Sequence, residues 1–192
     1  MKDPKTGEVF YEYKFNRDIG KLVFEGLKER GIKCIYVLDP DLEKDTPLNE
    51  RVATANKYAK KYGKSNCLYL SLHGNACGSG KEWNSARGWE VYTSPGTTMS
   101  DHYATLFCQE ADKVLPQYGM YTRKDMKTDG DEDYEAAFYV LNYTICPAVL
   151  LEQGFFTNKT DQAFMSSTVG QHELADICIR AIERIIAEKK AA

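Results

Sequence analysis

No CxxC pair occurs in this chain, and its six cysteines (Cys34, Cys67, Cys77, Cys108, Cys146 and Cys178) stand far apart. A zinc ribbon and a thioredoxin-type redox motif are thereby excluded. Nothing approaches the apolar run of ~20 residues that spans a bilayer. A basic excess is also missing: the net charge is −3 and the sequence pI about 5.7, which argues against a nucleic-acid groove. Histidine is scarce, with only His73, His102 and His172. No internal repeat and no low-complexity tract divides the 192 residues, a length that suits one domain with a full core.

The start, MKDPKTGEVFYEYK, is polar and shows no signal peptide. It passes from a loop-like stretch (Asp3-Pro4, Thr6-Gly7) straight into a helix, whereas an α/β domain more often opens with a strand. The expectation is a chain that begins inside its domain, with a first strand missing. Cys34, Cys67 and Cys146 lie in or beside apolar runs and Cys108 and Cys178 on helix faces; they read as small buried hydrophobes without disulfides, consistent with a reducing compartment.

Along the chain, Phe15, Ile19, Leu22, Val23 and Leu27 recur at helical spacing, predicting a helix from 11 to about 30 that Gly31 ends. KCIYVL (33–38) predicts a strand. Thr46-Pro47 predicts an N-cap and first turn for a helix to Tyr62, with Leu48, Val52, Ala55, Ala59 and Tyr62 inward. NCLYLSL (66–72) predicts a strand leading to His73, and RGWEVYTS (87–94) a more alternating one, at an edge or paired antiparallel. Ser100 is expected to cap a helix reaching Leu115. FYVLNYT (138–144) predicts a short strand. Thr160 or Asp161 is expected to open a short helix, and Gln171 to Ala187 to form the closing one. Strands alternating with helices predict an α/β fold: a mostly parallel, mixed twisted sheet with helices on both faces.

The stretch PAVLLEQGFFTN (147–158) is central. Four apolar residues, Ala148 to Leu151, run into Glu152 and then Gln153-Gly154, which reads as a strand buried on both faces with Glu152 where it leaves the sheet. Ligands of open α/β sheets bind outside the carboxyl ends of strands. A partly buried acid there suits a proton carrier, although capping a turn or pairing with an Arg is an equally simple use. His73 follows a buried strand whose end faces the same way, and Gly74-Asn75-Ala76 leaves open backbone around it. His102 and His172, at helix starts, read as surface or capping residues. Glu12 opens the first helix on the same rim, with Glu8 a weaker alternative. Carboxylate and imidazole are suitable zinc ligands, and a further unligated Glu suits a proton shuttle, but two ligands fall short of the usual three.

These residues resemble the zinc-dependent N-acetylmuramoyl-L-alanine amidases of bacterial cell separation and phage lysins. Four blocks carry the resemblance, in family order and across nearly the whole chain: EYKFN (12–16) with its helix, LNERVATAN (48–56), SLHGNA (71–76) and PAVLLEQGFFTN (147–158). The resemblance implies that Glu12 and His73 are ligands of Zn2+ and Glu152 the catalytic carboxylate. It implies that Arg51 anchors a helix and that Asn56 packs helix to strand. The substrate it implies is peptidoglycan, cut between N-acetylmuramic acid and L-alanine, and the place of action is the cell wall, outside the cytoplasm. One departure stands out. The family's first zinc ligand, a His in an Asp-x-Gly-His-Gly turn, has no match before Glu12, so weaker zinc binding and reduced activity are expected. Loops 74–86 and 122–135 are candidate cleft walls, and Trp83 or Trp89 a candidate stacking platform, with core or rim packing the simpler role for either. Two rivals stay open: a zinc peptidase cutting within the stem peptide, and a non-catalytic peptidoglycan-binding or regulatory domain.

Overall fold

A computed structural model describes residues 1–2, 7, 9–39, 41, 45–128 and 130–191. Asp3, Pro4, Thr6 and Glu8 lie outside the described residues. The elements run α1 (Glu12–Glu29), α2 (Leu48–Tyr62), β1 (Tyr69–Asn75), β2 (Glu90–Thr93), α3 (Met99–Val114), β3 (Tyr134–Glu135), α4 (Tyr139–Tyr143), β4 (Ala148–Phe155), α5 (Lys159–Ser166) and α6 (Thr168–Ala191). No helix among the described residues is long and apolar enough to cross a membrane.

The sheet order is β1-β4-β2-β3. β4 pairs parallel with β1 and antiparallel with β2, which in turn runs parallel to the two-residue β3. The sheet is thus mixed, as expected, with the alternating 87–94 segment paired antiparallel but inside the sheet rather than at its edge. Strand alternation sends side chains to two layers. Leu70, Leu72, Val149, Leu151 and Val91 pack with α1, α3 and α6, whereas Tyr69, Ala148, Leu150 and Tyr92 pack with α2 and α4. Helices therefore cover both faces.

The long periodic helices match the sequence pattern. Phe15, Ile19, Val23 and Leu27 are buried on α1, and Leu174, Ile177, Cys178, Ala181 and Ile185 on α6, which begins three residues earlier and runs four longer than predicted. All six cysteines are free thiols. Burial pushes the thiol pKa of Cys146 up to about 11, so it behaves as a small hydrophobe.

Four expectations need correction. Residues 33–38 join no ladder among the described residues, and 37–38 form a bend. Residues 139–143 form a helical turn instead of a strand: Val140 and Leu141 face the α2 layer while Tyr139 and Tyr143, four apart, stack outside at 4.5 Å. A short apolar run has no period long enough to choose between the two, so packing decided it. Leu48 and Tyr62 are 48% and 46% exposed, leaving Val52, Ala55 and Ala59 as the inner face of α2. Helix caps also shift. Thr98, not Ser100, caps α3 in a reciprocal box with Asp101, and Asn158, not Thr160 or Asp161, caps α5. Thr46 makes no side-chain cap on α2, where Pro47 holds the cap position. Ser100 Oγ instead accepts from Ala148 N–H at 3.1 Å, tying α3 to the start of β4.

Candidate active site

β4 does not leave the sheet at Glu152; it continues to Phe155. What changes at Glu152 is the register. His73 stands beside Glu152, but Asn75 stands beside Phe155, so β4 holds one residue more than β1 over this interval. Gly154 makes the bulge possible. Its φ is +128°, and a Cβ there would come within 3.0 Å of Met165 Sδ and 3.1 Å of Met120 Cε. Bulges re-aim side chains and are common beside active sites.

Glu152 is flanked on both sides. His73 is its neighbour on β1 and Glu90 its neighbour on β2, and residues in register share a face. This is the face that Tyr69 and Leu150 present to α2 and α4 farther back, so the three side chains sit where helical cover ends. From α1, Glu12 reaches the same place, with Oε1 3.0 Å from His73 Nδ1. Ser71 Oγ holds the other ring nitrogen, Nε2, at 3.1 Å, which orients the imidazole toward Glu12. Asn16 Nδ2 donates to Glu12 Oε1 at 3.3 Å. Burial alone would raise the Glu12 carboxyl, but the hydrogen bond and charge of His73 outweigh it and hold the group below the ordinary glutamate range. The three residues predicted from sequence are therefore brought together.

Glu152 has the opposite environment. Burial, with the neighbouring charges of Glu12 and Glu90, pushes its carboxyl up to about 7 against the pull of His73. Its Oε2 is buried without a hydrogen-bond partner among the described residues.

Sequence reasoning missed Glu90, which is 3% exposed. Arg123 Nε lies 2.7 Å from its Oε1, while Asn75 Nδ2 and Tyr92 OH donate to its Oε2 at 2.7 and 2.9 Å. The signal was present in the alternation of WEVY, which puts Glu90 and Tyr92 on one face. Only the pairing with β4 shows that this face carries Glu152. The cleft-wall loops are anchored here as well. Thr157 O accepts from Asn84 N–H at 2.9 Å and its Oγ1 from Cys77 N–H at 3.1 Å, pinning 76–86 beside the end of β4. Arg123 brings the 122–135 loop to Glu90.

Other residues have structural places. Trp89 is fully buried, so the stacking alternative falls for it; Trp83 is half-buried with Lys159 Nζ 5.7 Å from its ring. His102 is exposed and pairs with Glu188, and His172 is exposed on α6. Arg51 holds Thr46 O at 2.8 Å and pairs with Asp45. Asn56 donates to Tyr143 O and accepts from Ile145 N–H, both at 2.9 Å, clamping α2 to the turn before β4.

Similarity shows the family to which the chain belongs. The N-acetylmuramoyl-L-alanine amidase family matches residues 2–184. The chain belongs to that family. It is 31% identical over 169 residues to N-acetylmuramoyl-L-alanine amidase LytC of Bacillus subtilis, covering 88% of this chain and 30% of that protein. Among solved structures, the fold matches an N-acetylmuramoyl-L-alanine amidase from Clostridium difficile 630 with TM-score 0.76 and 20% identity, covering 98% of this chain and 90% of that one. It also matches Ami1 from Mycobacterium smegmatis with TM-score 0.75 and 21% identity, covering 98% and 81%.

The family is generally zinc-dependent, and this site can be tested for zinc on its donors. Nδ1 of His73 and Oε1 of Glu12 face one another and are of the right kind. They are one short of the usual three, and no group of three or more His, Cys, Asp or Glu able to hold a metal occurs among the described residues.

Proposed function

We propose that this chain is a single catalytic domain that hydrolyses the amide between N-acetylmuramic acid and L-alanine of peptidoglycan, with Glu152 as proton carrier and Glu12 and His73 contributing to a zinc site. Peptidoglycan lies outside the cytoplasmic membrane, so the place of action is extracytoplasmic. The observation that carries the reading is Glu152, a carboxyl raised to about 7 and unpartnered at Oε2, one strand spacing from His73. Such a group can both take and give a proton near neutrality.

Zinc held there by Glu12 and His73 would supply Lewis acidity to the attacked carbonyl and would make water more acidic. The chain supplies the rest. Ser71 fixes the His73 ring, and Asn16 steadies Glu12. Ionised Glu152 accepts a proton from the attacking water and delivers it to the leaving amine nitrogen as the C–N bond breaks. Glu90, paired with Arg123, keeps the flank of Glu152 polar and ordered.

The test is Glu152→Gln, assayed with added zinc for new amino termini released from purified peptidoglycan. Turnover is expected to fall about 10²–10⁴-fold with the melting temperature retained. Undiminished turnover removes Glu152 from the reaction, and fragments cut within the stem peptide would overturn the assigned bond.

The two-donor set favours one second reading, a peptidoglycan-binding domain without catalysis. Retention on purified cell walls with neither bound zinc nor released amino termini would select it.

A further inference from the structure

Building on the hydrolysis proposed above, we propose that Tyr92, Tyr134 and Phe138 form an aromatic ledge beside Glu152 on which the glycan arm of the substrate lies. The sheet leads away from Glu152 in two directions. Toward β1 stand His73 and, from α1, Glu12. Toward the other edge, β2 places Glu90 beside Glu152, and two residues further along β2 Tyr92 shares that face. Tyr134 of β3, the outermost strand, stands in register with Tyr92, and their ring centroids are 5.4 Å apart. The ring of Phe138, at the cap position of α4, lies 5.5 Å from that of Tyr92. Three rings thus continue the face of Glu152 to the edge of the sheet.

These rings are held in place, yet their faces are not used up. Tyr92 OH donates to Glu90 Oε2 at 2.9 Å, and Arg123, which pairs with Glu90, also meets Tyr134. Ala136 N–H donates to Thr93 O at 3.0 Å, fixing the backbone that leads to Phe138. The rings of Tyr134 and Phe138 are inclined to Tyr92 by 32° and 53°, so neither pair closes face to face. Tyr92 and Tyr134 are half-buried, and Phe138, a ring without a polar atom, is 42% exposed. A contiguous aromatic surface left open beside a reacting group is the mark of a ligand groove. Rings already held rigid lose little conformational freedom when a ligand covers them.

The chemistry of the ledge selects between the two arms of the substrate. A pyranose ring presents C–H faces that stack on aromatic faces. Its hydroxyl and N-acetyl groups are uncharged, and the lactyl carboxyl of N-acetylmuramic acid is tied up in the scissile amide. The stem peptide instead carries free carboxylates. Glu90 and Glu152 border the inner end of the ledge, and the guanidinium of Arg123 is already engaged by Glu90. A carboxylate is therefore repelled there, whereas a neutral sugar is not. With the scissile amide at Glu152, the glycan runs out over β2 and β3 and the peptide leaves by another path.

The experiment titrates the whole 192-residue chain with a β-1,4-linked tetramer of N-acetylglucosamine, a neutral glycan without stem peptide, and separately with free stem peptide. Aromatic side-chain signals are followed by NMR. The tetrasaccharide is expected to bind saturably and to shift the ring signals of Tyr92, Tyr134 and Phe138. Phe138→Ala is expected to weaken binding about tenfold and Phe138→Trp to restore it, since a larger ring rescues stacking but not a packing defect. The shifts are read on the parent chain, so the outcome does not depend on either variant folding. No saturable binding, shifts confined to other residues, or equal binding by Phe138→Ala would each overturn the ledge. Ring shifts caused by the stem peptide and not by the sugar would overturn it too, giving the surface to the other arm. Binding is read without turnover: a chain that holds the sugar but leaves peptidoglycan uncut overturns the hydrolysis and supports the ledge, whereas hydrolysis without sugar binding overturns the ledge alone.

Discussion

Glu152 and Glu90 stand side by side on antiparallel strands, and Glu90 has a guanidinium against it: Arg123 Nε lies 2.7 Å from its Oε1. The contrast makes chemical sense. One buried carboxylate is fully satisfied by Arg123, Asn75 and Tyr92, and its residual charge helps raise the other toward neutrality. Arg123→Met is expected to leave Glu90 buried without its cation and cost about 1–3 kcal/mol, less than a fully buried pair because the Arg is partly solvated. Urea denaturation measures this; an unchanged midpoint would show that Arg123 does not support Glu90.

Gly154→Ala tests the bulge. The positive φ strains any L side chain, and the sulfur of Met165 and the methyl of Met120 would have to give by a few tenths of an ångström to admit a methyl group. A loss of about 1–3 kcal/mol is expected. Hydrolysis should fall further than the folded fraction does, because straightening β4 turns Glu152 away from His73. Activity normalised to folded protein decides whether the bulge matters for aim.

Asn56 bridges α2 and the turn before β4 through both halves of its amide. Asn56→Ala is expected to destabilise by about 1–3 kcal/mol. Asn56→Asp keeps an acceptor for Ile145 N–H but strands Tyr143 O, so thermal melts should place it between the parent and the alanine variant.

Asp133 is 1% exposed, with Thr93 Oγ1 donating to its Oδ2 at 2.6 Å. Burial holds its carboxyl well above the ordinary 3.8; Asp131 pushes the same way and Thr93 only partly opposes them. The folded chain therefore keeps a proton that the unfolded chain releases near 3.8, and stability falls as pH rises from about 4 toward neutrality. Asp133→Asn keeps an acceptor for Thr93 and removes the charge. It should be more stable than the parent at pH 8 by about 1–3 kcal/mol, with the gap closing toward pH 4. Equal stability profiles from pH 4 to 8 would show that Asp133 does not carry this dependence.

Periodicity and local chemistry along the chain were enough to determine α1, α3, α6 and the doubly buried β4, and to mark Glu12, His73 and Glu152 as candidates for one rim of the sheet. Long amphipathic repeats and a run such as Ala148 to Leu151 bury themselves in only one economical way. Tertiary structure decided what local signals leave open. Residues 139–143 became helical because Val140 and Leu141 had to meet α2. Residues 33–38 stayed unpaired because a strand exists only beside another. Glu90 joined the site because a register places two side chains on one face, and a register belongs to a pair of strands rather than to either alone.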